Sequence, residues 1–441
     1  MPQFLSLFST PTLAPAKTVR LPPSNNHFAG IDAIRGFAAI AVVLLHACVP
    51  YSRPAMAGLS WSVRDDANDF VTVLFWTIEI AIMPIFLVIA GFFAARSMAS
   101  RDPWSTMTNR LRRLGVPLAL AIVLLLPIGF YTWMLGWIAE GNVSVRDVRR
   151  MKFDSGVDQN LWGLSHLWFL QYLMTYIIIL AASWSLLCRC RSRSLTRYGM
   201  SAAFLLAVIS LTMRPEVVWG FQHAFLPVLS KWAYSGAFFA AGVIWFRYDP
   251  QLSQLAVAGK RLLSPGVLVT VAAVSIGIWW LAAVGPSEDW LNGGWSDESG
   301  KLASHRLAGG LPIGGWLVRG AMAVLTVASA SLLTFGVIGL ATDRIRHLGP
   351  RTTSLASASL LIYLLHHPVV GLTHIVAKYS LPGVSPIMKV GLATGLGVAV
   401  GWSVSWLIGC HRERVALREM STELISAEAE STDQATVKRA A

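Results

Sequence analysis

Apolar runs of roughly 18 residues or more recur from one end of this chain to the other. Lipid offers no partner to backbone N–H and C=O groups, so each run must satisfy its own hydrogen bonds as a helix. With 54% hydrophobic and only 13% charged residues over 441 positions, an ordinary soluble domain is excluded. The reading is therefore all-α, a polytopic integral membrane protein of about ten transmembrane helices. Hydropathy sets them at 31–50, 70–95, 114–136, 166–187, 199–213, 232–246, 265–284, 316–340, 354–377 and 386–410. The fifth and sixth are short. Residues 1–30 read as a cytoplasmic segment, 31–410 as the membrane domain and 411–441 as a charged, frayed cytoplasmic tail.

Charge gives the orientation. Arg96, Arg101, Arg110, Arg112 and Arg113 share one set of connections with Arg189, Arg191, Arg193, Arg197, Lys260, Arg261, Arg344 and Arg346. The opposite set holds Asp65, Asp66, Asp69, Glu288, Asp289, Asp297 and Glu298. Positive loops stay in the cytoplasm, which makes both termini cytoplasmic. The net charge of +13 is scattered over short connections, so it signals topology and lipid contact rather than nucleic acid. Eighteen Trp and nine Tyr suit two interfacial belts. The first Lys is Lys17, with no charged region ahead of an apolar core, so no cleavable signal peptide is expected. Cys48, Cys188, Cys190 and Cys410 lack the spacing of a zinc site and read as incidental.

The first span carries Asp32, Arg35 and His46. Eleven residues bring a helix almost back to one azimuth, so Arg35 and His46 share a face, roughly 16 Å apart along the axis. Asp32 lies about 40° from His46 on the same projection. Ionisable groups inside a membrane cost about 2.5–3.5 kcal/mol on insertion scales and are functional suspects by default. Asp32 reads equally as an interfacial residue.

Further candidates lie along the chain. Glu79 in the second span wants an Arg or His partner, or is protonated and structural; Pro84 and Gly91 suggest a kink and a close helix approach. Arg110, Arg112 and Arg113 at the mouth of the third span serve topology, and would also pair with the phosphates of a cytosolic nucleotide. His166 and Trp168 stand at the outer rim of the fourth span, Trp168 reading also as an interfacial anchor. The outer loop 285–315, with DWLNGGWSDESG, has the Trp and acids of a sugar-binding surface, and equally those of an interfacial loop. Tyr363, His366 and His367 occupy the ninth span; adjacent residues point about 100° apart, so at most one His faces His46 directly. No HExxH or carboxylate partner suggests a metal site. Gly391/Gly395 and Gly397/Gly401 repeat small-xxx-small spacing for helix packing.

Arg35-x10-His46, IFLVIAGFF (Ile85–Phe93), RLRRLGVP (Arg110–Pro117), SHLWFL (Ser165–Leu170) and IYLLHHP (Ile362–Pro368) follow in this order. Over roughly residues 30–410 the chain resembles the membrane acyltransferase-3 family, and within it the glucan biosynthesis protein C branch. Two departures are Ala90, where the family usually has Ser before the Gly, and Glu79, which matches no family position. The resemblance implies an O-acyltransferase that moves an acyl group, succinyl in that branch, from a cytosolic acyl-CoA to hydroxyls of a periplasmic glucan. It makes His46 the catalytic base, Arg35 its partner in handling the thioester, and His366 a site residue. The donor, succinyl-CoA or acetyl-CoA, is a substrate, with no tightly bound cofactor expected. An extra donor carboxylate would need one further cation, for which Arg53, Arg64 and Arg319 are candidates. Alternatives are an O-acetyltransferase acting on an exopolysaccharide, lipid or other extracytoplasmic acceptor, and a membrane transporter. A transporter predicts paired broken helices in two halves, a pattern that hydropathy does not reveal.

Overall fold

A computed structural model describes residues 28–56, 58–153, 162–189, 193–221, 224–284, 314–411 and 414. Its elements are helices throughout, with no strand among the described residues. In chain order they are α1 (Ala29–Cys48), α2 (Asp69–Ser100), α3 (Pro103–Ala139), α4 (Val145–Arg150), α5 (Trp168–Arg189) and α6 (Arg193–Met213). There follow α7 (Glu216–Trp219), α8 (Leu229–Tyr248), α9 (Ser253–Val284), α10 (Gly314–Arg344), α11 (Pro350–Ser380) and α12, residues 386–411. Asn68 caps α2 by accepting from the Val71 N–H, and Asp102 caps α3 by accepting from Ser105 at 2.7 Å, with Pro103 at the first helical position.

Eight described helices are long and apolar enough to cross a membrane. The expected fifth and sixth spans exist as α6 and α8, but neither is in that set of eight. For α8 the physical reason is position: it packs between α2 and α6, so its Lys231 and Ser235 face protein rather than lipid. The chain is thus an all-α polytopic membrane protein. The sugar-binding reading of 285–315 falls almost wholly outside the described residues, as does the tail beyond 414.

Helix α1 is the hub. It packs on α11, α2 and α10, burying Ile31, Ala39 and Val43. Helix α2 crosses α8 where Gly91 and Gly242 meet; a Cβ on either would run into backbone of the other helix, so both sites demand glycine. Pro84 sits inside α2, buried, without ending it. The glycine stripe of α12 divides: Gly397 and Gly401 lie against Val43, Val370 and Ile362, whereas Gly391 and Gly395 meet nothing within 4 Å. Helix α3 is peripheral, bounded by α5 and α11 and largely exposed.

At the histidine end of the bundle, Lys389 pairs with Asp65 at 2.7 Å, both nearly buried, and Lys378 pairs with Glu140. Removing one partner of a buried pair strands the other charge, at about 3–5 kcal/mol. Lys389→Ala is therefore expected to lower the unfolding midpoint in detergent, and Lys389→Ala with Asp65→Asn to recover part of the loss. Thermal unfolding followed by tryptophan fluorescence reads both.

Candidate active site

The last turn of α1, the turn before α5 and the middle of α11 converge on one cluster of rings. His46 Nδ1 lies 2.8 Å from the Val42 carbonyl and 3.2 Å from His366 Nε2. His366 Nδ1 in turn lies 2.8 Å from the Tyr363 carbonyl and 3.1 Å from that of Ile362. A carbonyl only accepts, so both Nδ1 atoms carry the proton. His366 Nε2 is then an acceptor, and shares the His46 Nδ1–H with Val42. These assignments leave the lone pair of His46 on Nε2, for which no partner is found among the described residues, on a ring that is only part-buried. The geometry is that of a base held by its far nitrogen, with a second imidazole where serine hydrolases place a carboxylate.

His166 is fixed differently. It sits in the single turn Ser165–Leu167, opened by Ser165 at φ +48°, a left-handed conformation that a non-glycine residue adopts only under constraint. Tyr363 Oη donates to the His166 carbonyl, and His166 Nε2–H donates to the Leu364 carbonyl at 3.2 Å. Its Nδ1 is buried and without a partner among the described residues. The ring stacks on His367 (4.4 Å between centroids), which stacks on Trp133 (4.7 Å). The expectation that at most one of the paired histidines meets His46 directly needs amending: His366 makes the hydrogen bond, while His367 sets its ring against His46 with centroids 5.1 Å apart.

A loop that motif reading passed over closes the cluster. Trp61, fully buried, stacks on His46 and donates through Nε1 to His374 Nδ1 at 2.9 Å. Trp137 donates to the Trp61 carbonyl at 2.9 Å, Trp133 to Ser60 at 2.8 Å, and Ser62 to Gly371 at 3.1 Å. Beside it opens a pocket lined by Ser60, Gly129, Phe130, Trp133, His166 and His367. Helix α3 carries a π-turn at Ala121–Leu125 immediately before this pocket, a distortion common at functional sites. His367 and His374, seven residues apart, share one helix face; that spacing was readable in the sequence, whereas the approach of Trp61 and Trp133 was not. Among the described residues no three of these side chains form a group that could hold a metal ion.

At the opposite end of α1, Arg35 pairs with Asp32 at 3.0 Å and stays exposed. Arg110 donates to the Phe93 carbonyl (2.8 Å) and Ser97 Oγ (3.0 Å), so its guanidinium ties α3 to α2. The charges of Arg113 and Arg35 both reach it, which brings three cations into one neighbourhood. Arg112 lies about 200° round the helix from Arg110 and is exposed elsewhere.

Two candidates lie apart from the ring cluster. Trp168 faces Lys231, and Glu79 has Lys231, rather than an Arg or His, as its opposing charge. Of the three cations considered for a donor carboxylate, Arg53 is exposed and Arg319 lies beside Trp316 and Glu216. Arg64, in the loop before α2, is driven down to about 10 by burial and the nearby Arg53 charge. None of the three is part of the ring cluster.

Comparison with curated proteins and with solved structures returns no match. The acyltransferase-3 family profile, described as an acyltransferase domain, matches residues 28–406. That span takes in α1 with its arginine and histidine, the arginines of α3 and the histidines of α11, and the chain belongs to the acyltransferase-3 family of membrane acyltransferases.

Proposed function

We propose that the protein is an O-acyltransferase of the inner membrane that carries an acyl group from cytosolic acyl-CoA to hydroxyls of a periplasmic glucan, with succinyl as the group transferred. The observation that carries this reading is the His46 geometry: Nδ1–H held by Val42 and His366, and a free Nε2 lone pair on the same helix face as Arg35. A sugar hydroxyl is a poor nucleophile at neutral pH and needs a base within reach of its proton. In this reading His46 Nε2 takes the hydroxyl proton as the oxygen attacks the thioester carbonyl. The C–O bond forms, the C–S bond breaks, and the proton ends on the departing CoA thiol. The Nδ1–H bond to His366 Nε2 steadies the imidazolium in between. Arg35 and Arg113 hold the phosphates of CoA at the cytoplasmic end, Asp32 orients Arg35, and the pantetheine arm follows α1 inward. The pocket beside Trp133 and His166 admits the acceptor.

Mass spectrometry of periplasmic glycans from cells with and without the protein tests donor and acceptor together. Succinyl groups on glucan that disappear with the protein are the expected result. An unchanged glycan profile contradicts the reading, and acetyl in place of succinyl, or another acceptor, redirects it within the family.

A further inference from the structure

The mechanism leaves one group of intramembrane polar side chains unused. Lys231, in the first turn of α8, is 6% exposed and holds its ammonium 4.0 Å from the centre of the Trp168 ring and 4.4 Å from that of Phe221. Among the described residues it makes no hydrogen bond, and its opposing charge, Glu79 of α2, is not in ion-pair contact with it. Glu79 is likewise without a hydrogen-bond partner there, and is part-buried in the interior of a long apolar helix. The Tyr234 hydroxyl, one helical turn beyond Lys231 and electrostatically linked to Glu79, is buried and has no partner among the described residues. A cation held only by two aromatic faces, an anion without a hydrogen bond among the described residues and a buried hydroxyl, in one apolar neighbourhood, are costly unless something bridges them.

The bridge has a definite chemistry. It must accept from an ammonium, donate to a carboxylate, exchange a hydrogen bond with a phenol, and tolerate aromatic faces. A simple anion would meet Glu79, and a simple cation would meet Lys231. Neighbouring hydroxyls, each both donor and acceptor, satisfy all three groups, and the C–H face of a pyranose suits an indole. The group adjoins the active site, since Trp168 stands two residues from His166 and next to Phe169, whose ring faces Tyr363 at 6.1 Å.

We infer that Glu79, Lys231, Tyr234 and Trp168 form a saccharide subsite, in which hydroxyls of the acceptor bridge Glu79 and Lys231 while a neighbouring sugar unit presents its hydroxyl to His46. This rests on the acyltransferase reading of the His46 site for its role, though binding is measurable without catalysis.

The test is binding of a linear gluco-oligosaccharide to the purified full-length protein in detergent, by saturation-transfer NMR and calorimetry. Glu79→Gln and Lys231→Met are expected to weaken binding by tenfold or more, and Tyr234→Phe by a few-fold. Tyr234→Phe removes a hydroxyl that has no partner among the described residues, so it keeps the proposal falsifiable if the charge variants unfold. Unchanged oligosaccharide affinity in folded variants overturns the subsite. So does a charge-swapped Glu79→Lys with Lys231→Glu protein that binds normally, because that outcome marks a purely structural pair. If the wild type binds the oligosaccharide but transfers no acyl group, the subsite stands and the catalytic reading falls.

Discussion

Replacing His46 by Ala is expected to reduce acyl transfer by about 10²–10⁴-fold, the usual worth of a positioned general base. The expectation follows from how the ring is held. Its Nδ1–H is fixed by Val42 and His366, so the whole catalytic burden of this ring lies on Nε2. His366→Asn should fall between wild type and His46→Ala, because it removes the partner of Nδ1 but leaves the Val42 bond. Rates of product formation, normalised to folded protein in detergent, check both. A His46→Ala enzyme that retains most of its rate would move the base elsewhere, with the unpartnered Nδ1 of His166 as the first place to look.

The second large effect is expected at the other end of α1. Arg35→Ala and Arg113→Ala should each raise the KM for acyl-CoA by about 10–100-fold, as expected for a hydrogen bond between charged groups worth about 1.5–3 kcal/mol. Neither should change the KM for a truncated acyl thioester that lacks the nucleotide. The contrast separates phosphate binding from general damage, since a misfolded variant loses both donors. Arg110→Ala should behave differently: its guanidinium is engaged by Phe93 and Ser97, so its loss should lower thermal stability as well as donor affinity. Arg112 points away from this cluster and its substitution should matter least.

What could be read in advance was whatever lay on one helix. Arg35 and His46 declared themselves through a spacing that returns to one azimuth, and Asp32 joined them as the partner of Arg35 by the same geometry. His366 stood out through its motif. The long helices followed from hydropathy alone, because lipid leaves the backbone no other solution. The contributions that escaped came from elements distant in sequence. Trp61 reaches the cluster only because Trp133, Trp137 and Gly371 pin its loop. Lys231 was invisible as the partner of Glu79 because the first turn of α8 is polar by membrane standards, a property that makes sense once α2 and α6 are packed on either side of it. The adjacent pair His366 and His367 shows a limit of azimuth arguments, since ring size lets both approach His46 although their Cα–Cβ directions diverge.

The central claim is that one bilayer-spanning face joins a donor site in the cytoplasm to a hydroxyl site outside it. Sealed proteoliposomes holding the protein in one orientation test it directly, with radiolabelled acyl-CoA confined to the side of Arg35 and a gluco-oligosaccharide confined to the side of His46. The account predicts labelled oligosaccharide that depends on His46, and none when donor and acceptor exchange sides. Equal labelling from either side, or labelling only when both substrates share one side, would contradict it.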